Sequence, residues 1–379
     1  MIVVPQRPRV ATGVMFFLSG VVIGTWAANV PFVRDRLDIS TTTIGFCLLA
    51  MAAGSLVAMP LAGRELAHRP SADLTRLGAL AVPLAGALPL LAPSVPTLAL
   101  ALFVLGAAIG LLDVSMNAHG VAVEHAARTP VMSSLHGGWS LGGLVGAGGV
   151  ALAHALGVDP RVEAIVAVAL LLALGVAAGP HLGSMSAAQE RDGAHATFAR
   201  PSRGALLVGT LVFMLFMAEG AMTDWSALYL DHDLETGATV AAIGFGAFSG
   251  GMALSRFCGD RLNRVVGPGP LLRAGSLTAA LSIVVMLLVG EAWVALPALL
   301  LVGLGVGNGV PLLFSAAGRV RDMAPGPAIA AVSTLGYFGL LAGPPLLGFV
   351  ADATSMPAAL SITALLTGTV ALFAVRAER

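Results

Sequence analysis

Three carboxyl groups stand inside long apolar stretches of this chain: Asp113, Glu219 and Asp224. An acid at the centre of a membrane span costs about 2.5–3.5 kcal/mol on insertion scales, so it is read as functional before it is read as structural. Asp113 is followed by Asn117 at i+4, which puts a carboxyl and an amide on one helix face. It precedes Glu124 by eleven positions. At 1.5 Å per residue that is roughly 16 Å from the helix end, close to the middle of a bilayer. No arginine falls within a predicted span core, so the sequence offers Asp113 no permanent counter-ion. A carboxyl that loads and releases a proton is what coupling to a proton gradient requires. The bland alternative is a carboxyl that stays neutral and hydrogen-bonds a neighbouring helix.

Glu219 has Thr223 at i+4 and Ser226 at i+7, a polar stripe that a wholly lipid-facing surface would not carry. Measured from Gly204, Glu219 lies roughly 22 Å along its helix and Asp224 roughly 30 Å, toward the outer mouth. Trp225 beside them reads either as an interfacial belt residue or as a stacking surface for a solute. His136, Trp139 and Ser140 share one face as a titratable ring, an aromatic and a hydroxyl, with interhelical hydrogen bonding as the alternative reading of the histidine. Trp26, Asn29, and Asn308 between two glycines are further candidates for polar contact with a ligand. No catalytic or metal constellation accompanies them. His119 and His125 are six apart, not the metalloprotease spacing of four with an intervening Glu, and a chain without lysine cannot form a P-loop. No cofactor is expected.

These residues need elements that hold them inside a membrane. The chain has 379 residues, 57% hydrophobic and 11% charged, against about 25% charged in soluble domains. Disorder is excluded, and a net charge of zero removes the electrostatic footprint of nucleic-acid binding. Cys47 and Cys258 cannot make a disulfide framework and read as packing residues. Spans of roughly 20 apolar residues are predicted at 10–33, 40–63, 76–93, 97–122, 130–156, 161–180, 204–230, 237–258, 271–290, 292–316, 326–350 and 355–375. The first could pass for a secretory signal behind Arg7 and Arg9, with Ala27 and Ala28 near a cleavage site, but it is kept as a span because all that follows is membrane-like. Seventeen of the 20 arginines fall on one set of alternate connections, which makes that side, and both termini, cytoplasmic.

A polar stretch from His181 to Arg203 divides the chain into 1–180 and 204–379, with 181–203 as a cytoplasmic linker. The halves echo each other. Ile44-Gly45-Phe46 recurs as Ile243-Gly244-Phe245 at an offset of 199, Arg76 to Leu80 as Arg273 to Leu277 at 197, and Ser133-Ser134-Leu135 as Ser333-Thr334-Leu335 at 200. Agreement near one offset, with the linker where a duplication would put it, marks an internal repeat.

Six plus six spans in two repeats resemble the major facilitator superfamily (MFS), whose substrate sits near the midplane between the halves. Gly259-Asp260-Arg261-Leu262 with Arg264 and Gly267 resembles the cytoplasmic loop signature of that family, in which the Asp and Arg latch the halves and gate alternation. The first-half stretch beginning Gly63-Arg64-Glu65 lacks the Asp. Asp113-Val114, Asn117, Gly120, Val123-Glu124, Met132, His136 and Ser140-Leu141-Gly142, with Ala218-Glu219-Gly220 and Asp224-Trp225, resemble the YbjJ-type inner-membrane permeases, related to the fucose permease branch of proton-driven sugar symporters. That resemblance implies a role for Asp113 and Asn117 in substrate binding and protonation. It also implies an acid in helix one, where this chain has Ala27.

The expectation is therefore an all-α integral membrane protein, two six-helix bundles related by a pseudo-two-fold axis, monomeric in the bacterial plasma or inner membrane. It would move a small polar, sugar-like solute by alternating access, coupled to protons or sodium. Drug or metabolite efflux is the alternative within transporters. The span-five glycines resemble an antiporter signature but lack its Gly-Pro pair. A transport-inactive receptor or an intramembrane enzyme is the alternative of another class.

Overall fold

The computed structural model describes residues 6–39, 41–183 and 201–374. Most of the expected linker, including Gln189, Glu190, Arg191, Asp192 and Arg200, lies outside the described residues, as do Arg376, Arg379 and the side chains of Pro344 and Pro345. The described residues fold almost wholly into helices: α1 (Gln6–Leu37), α2 (Thr41–Leu66), α3 (Ser71–Leu91), α4 (Val95–Ala127), α5 (Met132–Ala155), α6 (Pro160–Ala178), α7 (Arg203–Leu228), α8 (Ala238–Val266), α9 (Pro268–Val289), α10 (Ala292–Val306), α11 (Gly309–Ala317), α12 (Pro325–Ala353) and α13 (Met356–Phe373). With α10 and α11 as two pieces of one span broken at Gly307-Asn308, these are twelve spans. Ten are long and apolar enough to cross a membrane by length and composition. The other two are α5, diluted by glycines and by His136 and Trp139, and α8.

Local chemistry sets the ends. Ser94 and Thr97 form a capping box at the start of α4. Asp159 accepts the Arg161 N–H at 2.7 Å at the start of α6, and Ser202 accepts the Ala205 N–H at 3.2 Å at the start of α7. The stretch expected to break at Gly290 and Glu291 does so because Gly290 takes a left-handed conformation, φ 66°, which ends α9.

The chain forms two compact units. One comprises Met1–Val131, Leu135–Arg200 and Met323–Ala331, the other Met132–Ser134, Pro201–Asp322 and Val332–Arg379. Inside the first, α4 packs on α2 and α3, and α1 packs on α3, α4 and α6. Inside the second, α10 packs on α8 and α9, and α13 on α9 and α7.

Helices in lipid gain nothing from hydrophobic burial against one another, so close packing through small residues has to hold them. Gly54 of α2 lies against the Phe103 carbonyl of α4, and Gly106 of α4 against the Met51 carbonyl of α2. Gly251 and Gly303 make the same reciprocal contact between α8 and α10, against the carbonyls of Leu300 and Phe248. The offset is 197 in both cases (251 − 54 and 303 − 106). Gly142 and Gly146 bring α5 onto the carbonyls of Phe17 and Val21, and Gly339, again 197 after Gly142, brings α12 onto that of Phe213. The repeat inferred from short sequence echoes is thus a repeat of backbone contacts.

Gly106→Leu should force α2 and α4 apart at a cost of at least about 1–3 kcal/mol, whereas Gly148→Ala, with open space around its Cα, should be neutral. Thermal unfolding of the two variants in detergent measures the difference.

Candidate functional site

In the first unit Asp113 sits in the inner stretch of α4, partly buried, with Asn117 fully buried one turn on. The Asn117 amide donates to the Asp113 backbone carbonyl at 2.8 Å and to its carboxylate at 3.3 Å, so the i+4 spacing does bring the two together. The Asn117 side-chain oxygen is buried without a hydrogen-bond partner, an acceptor left open in an apolar helix bundle. The His136 ring lies tilted against Phe16 of α1, centroids 5.0 Å apart, and the Ser140 hydroxyl donates back to the His136 carbonyl at 3.2 Å. Trp139 supplies a backbone carbonyl against Gly20, so this part of α5 is pressed on α1. Trp26 is buried in the packing. Asn29 is 1% exposed and donates to the Thr25 carbonyl at 3.0 Å and to the carboxylate of Glu163 at 3.5 Å. Glu163 lies three positions into α6, inside the predicted sixth span.

In the second unit, Glu219 of α7 meets an arginine. Arg256 of α8 is 4% exposed and Glu219 16%, and they form an ion pair at 3.3 Å. Arg256 also donates its Nε–H to the Gly307 carbonyl at 3.2 Å. This corrects the expectation that no arginine lies within a span core: α8 runs on to Val266, so Arg256 is helical and buried rather than part of a cytoplasmic loop. The pair meets the cost of burying either charge alone. Asn308 stands at the break between α10 and α11, and its amide donates to the Ser255 carbonyl at 2.7 Å and hydroxyl at 2.8 Å, tying α8 to the break. Thr223 donates back to the Glu219 carbonyl at 2.8 Å, while Asp224 is exposed. Trp225 lies against Gly348 of α12, with its indole N–H buried and unpartnered.

The loop signature has a clear geometry. Asp260 is 6% exposed and accepts the backbone N–H groups of Ser133 and Ser134 at 3.0 and 3.2 Å. Those N–H groups open a helix and have no intrahelical acceptor, and the N-terminal dipole favours a carboxylate there. Gly259 fits because a Cβ would collide with the side chains of Asn308 and Ser133. Arg261 is exposed. In the first unit Gly63 lies against Ala330, which is 197 after Ser133, as Asp260 is 197 after Gly63. In the repeat Gly63 thus corresponds to Asp260, one position from the sequence register that pairs it with Gly259. Among the described residues no group of three or more His, Cys, Asp or Glu could hold a metal ion.

Residues 12–325 match the family model of the Major Facilitator Superfamily. The chain belongs to that family. It is 37% identical over 363 residues to an uncharacterized MFS-type transporter of Yersinia pestis, covering 96% of this chain and 94% of that one. Among solved structures it superposes on the MFS transporter FucP in its outward conformation with a TM-score of 0.83, 17% identity and coverage of 98% and 99%. It superposes on the proton:xylose symporter XylE with a TM-score of 0.73, 12% identity and coverage of 99% and 96%. The protein is thus a multi-pass membrane transporter of the MFS fold.

Arg256 and Glu163 are polar groups of these helices that the sequence expectations do not include. Arg256 lies two residues inside the predicted eighth span and was counted with the loop arginines. Glu163 lies inside the predicted sixth span, and an acid within a span was the signal that would have found it.

Glu219→Leu alone should cost about 3–5 kcal/mol by taking the facing carboxylate from the buried Arg256, and adding Arg256→Met should restore most of the loss. Thermal unfolding of wild type, both single variants and the double variant checks this. Additive losses would contradict a self-neutralising pair.

Proposed function

We propose that this MFS protein moves a small polar, sugar-like solute by alternating access, with Asp113 as a proton-coupling carboxyl. The observation that carries the reading is the Asp113–Asn117 pair in the inner stretch of α4, a carboxylate and an amide on one face with an unpartnered amide oxygen beside them. Hydroxyls of a sugar donate and accept at once, and such a pair answers both. Protonation of Asp113 changes it from an acceptor into a donor, so solute contact and proton load act on one group. Two of the structural neighbours support the choice of solute class: FucP of E. coli is a fucose:proton symporter, and XylE is bound to 6-bromo-6-deoxy-D-glucose.

The remaining parts take roles around that pair. Glu219 with Arg256, and Trp225 near Gly348, are polar and aromatic groups of the second unit from which further solute contacts are drawn. Asp260 acts as a latch: its bonds to the Ser133 and Ser134 N–H groups must break whenever the start of α5 moves away from it. The arginine distribution supports a cytoplasmic position for both termini and for the Asp260 loop, in the inner membrane of a bacterium.

Thermal stabilisation by a panel of monosaccharides, polyols, nucleosides and amphipathic amines finds the solute, because a ligand that binds only the folded state raises Tm by mass action. A sugar or polyol should stabilise the wild type, and Asp113→Asn should keep the unliganded Tm but lose proton-driven uptake of that solute into vesicles. Stabilisation by amphipathic amines alone, or gradient-driven uptake intact in Asp113→Asn, would contradict the proposal.

A further inference from the structure

We infer that Glu163 is a second proton-binding carboxyl of the transport cycle, held by Asn29 beside a cavity in the first unit. The cavity has a volume of about 740 Å³ and is lined by the C-terminal ends of α1 and α5 and the start of α6, with Asn29, Asp35, Arg36, His154 and Glu163 among its residues. At the ~30 Å³ that a water takes in the liquid, it has room for on the order of 20 waters, enough to connect a carboxyl with bulk solvent. It opens where α1 and α5 part after their glycine contacts at Gly20, Gly24, Gly142 and Gly146.

The placement of Glu163 is not explained by capping. A glutamate in the first turn of a helix commonly serves the helix dipole, but here Asp159 already caps α6, and Glu163 reaches across to α1 instead. Between Arg9 and Arg34, α1 carries no acid of its own, and Glu163 of α6 is a carboxyl that this stretch contacts through Asn29. Among the described residues no cation lies within ion-pair distance of it. Arg36 lines the same cavity but spends its terminal nitrogens on the carbonyls of Pro89, Leu90 and Ala92 at the end of α3.

A proton added to Glu163 converts carboxylate to acid, with no other reactant. The Asn29 N–H contact, long at 3.5 Å, favours the charged carboxylate over the neutral acid, while the Asn29 bond to the Thr25 carbonyl remains. Protonation thereby loosens the link between α1 and α6, which joins proton load to helix position. The charged groups facing Glu163 are Asp35 and Arg36 of α1, His154 of α5, and Asp159 and Arg161 beside it. Of α3, which also packs on α6, the titratable groups Asp73 and Arg76 stand at the opposite end.

This inference rests on the proton-coupled reading above, and the test separates the two. Dicyclohexylcarbodiimide reacts with protonated carboxyls in apolar surroundings. The full-length protein is treated with it in detergent across a series of pH values, and labelled peptides are mapped by mass spectrometry. The Glu163 peptide should be labelled with a pH dependence that persists in His154→Gln and Asp35→Asn, and Asn29→Ala should move the pH of half-labelling. Labelling lost from that peptide alone in Glu163→Gln assigns the site. No labelling at any pH, or a pH dependence that vanishes in His154→Gln, overturns the inference. The Asp113 peptide in the same samples reports on the main reading: labelled Asp113 with unlabelled Glu163 sinks only the present inference, and neither labelled sinks both.

Discussion

A carboxylate inside an apolar helix bundle must be answered by a cation, by hydrogen-bond donors or by a proton, because the alternative is a charge stripped of water with nothing in return. Four buried or half-buried acids of this chain meet that demand in different ways. Glu219 is answered by Arg256, and Asp260 by two backbone N–H groups. Asp113 and Glu163 each accept from a side-chain amide, of Asn117 and Asn29. The first two arrangements fix a charge in place. The latter two leave a carboxyl that a proton can alter, and the assignment of function follows that distinction.

The scaffold beneath is repeated and the chemistry is not. Reciprocal glycine contacts join α2 to α4 and α8 to α10 at one offset of 197. At the same offset Asp113 and Asn117 correspond to Val310 and Phe314, Glu219 to Val22, Arg256 to Met59, and Glu163 to Leu360. Each polar group therefore belongs to one half alone, on backbones that pack alike. Asp260 and Gly63 show the same division within the loop signature. Close helix packing tolerates little variation because a Cβ would meet backbone, whereas a side chain facing a cavity or a loop is free to differ between repeats.

Much of this was legible in the sequence. Twelve spans followed from apolar run lengths, and the break at Gly290 from a residue that can adopt positive φ. The Asp113–Asn117 contact followed from i+4 spacing. The Arg256–Glu219 pair was hidden because helix α8 outruns its apolar stretch: hydropathy ends near Cys258, while the backbone stays helical to Val266. Register between the halves was legible only to within a few residues, since short Gly and Leu matches recur at neighbouring offsets. Contact between backbones resolves it to 197 for α2 with α4 and α8 with α10. Asn308 read as a ligand contact from its place between glycines, and the structure adds a bond to Ser255 that no spacing rule reaches across 53 positions.

Coupling itself is the central claim, and it is tested most directly by proton movement. The protein would be reconstituted into sealed vesicles with a pH-sensitive dye inside, and the solute that stabilises it added outside without an imposed gradient. The account predicts a solute-induced influx of protons that is saturable in solute and absent in Asp113→Asn vesicles. Solute entry unaccompanied by proton movement would contradict it.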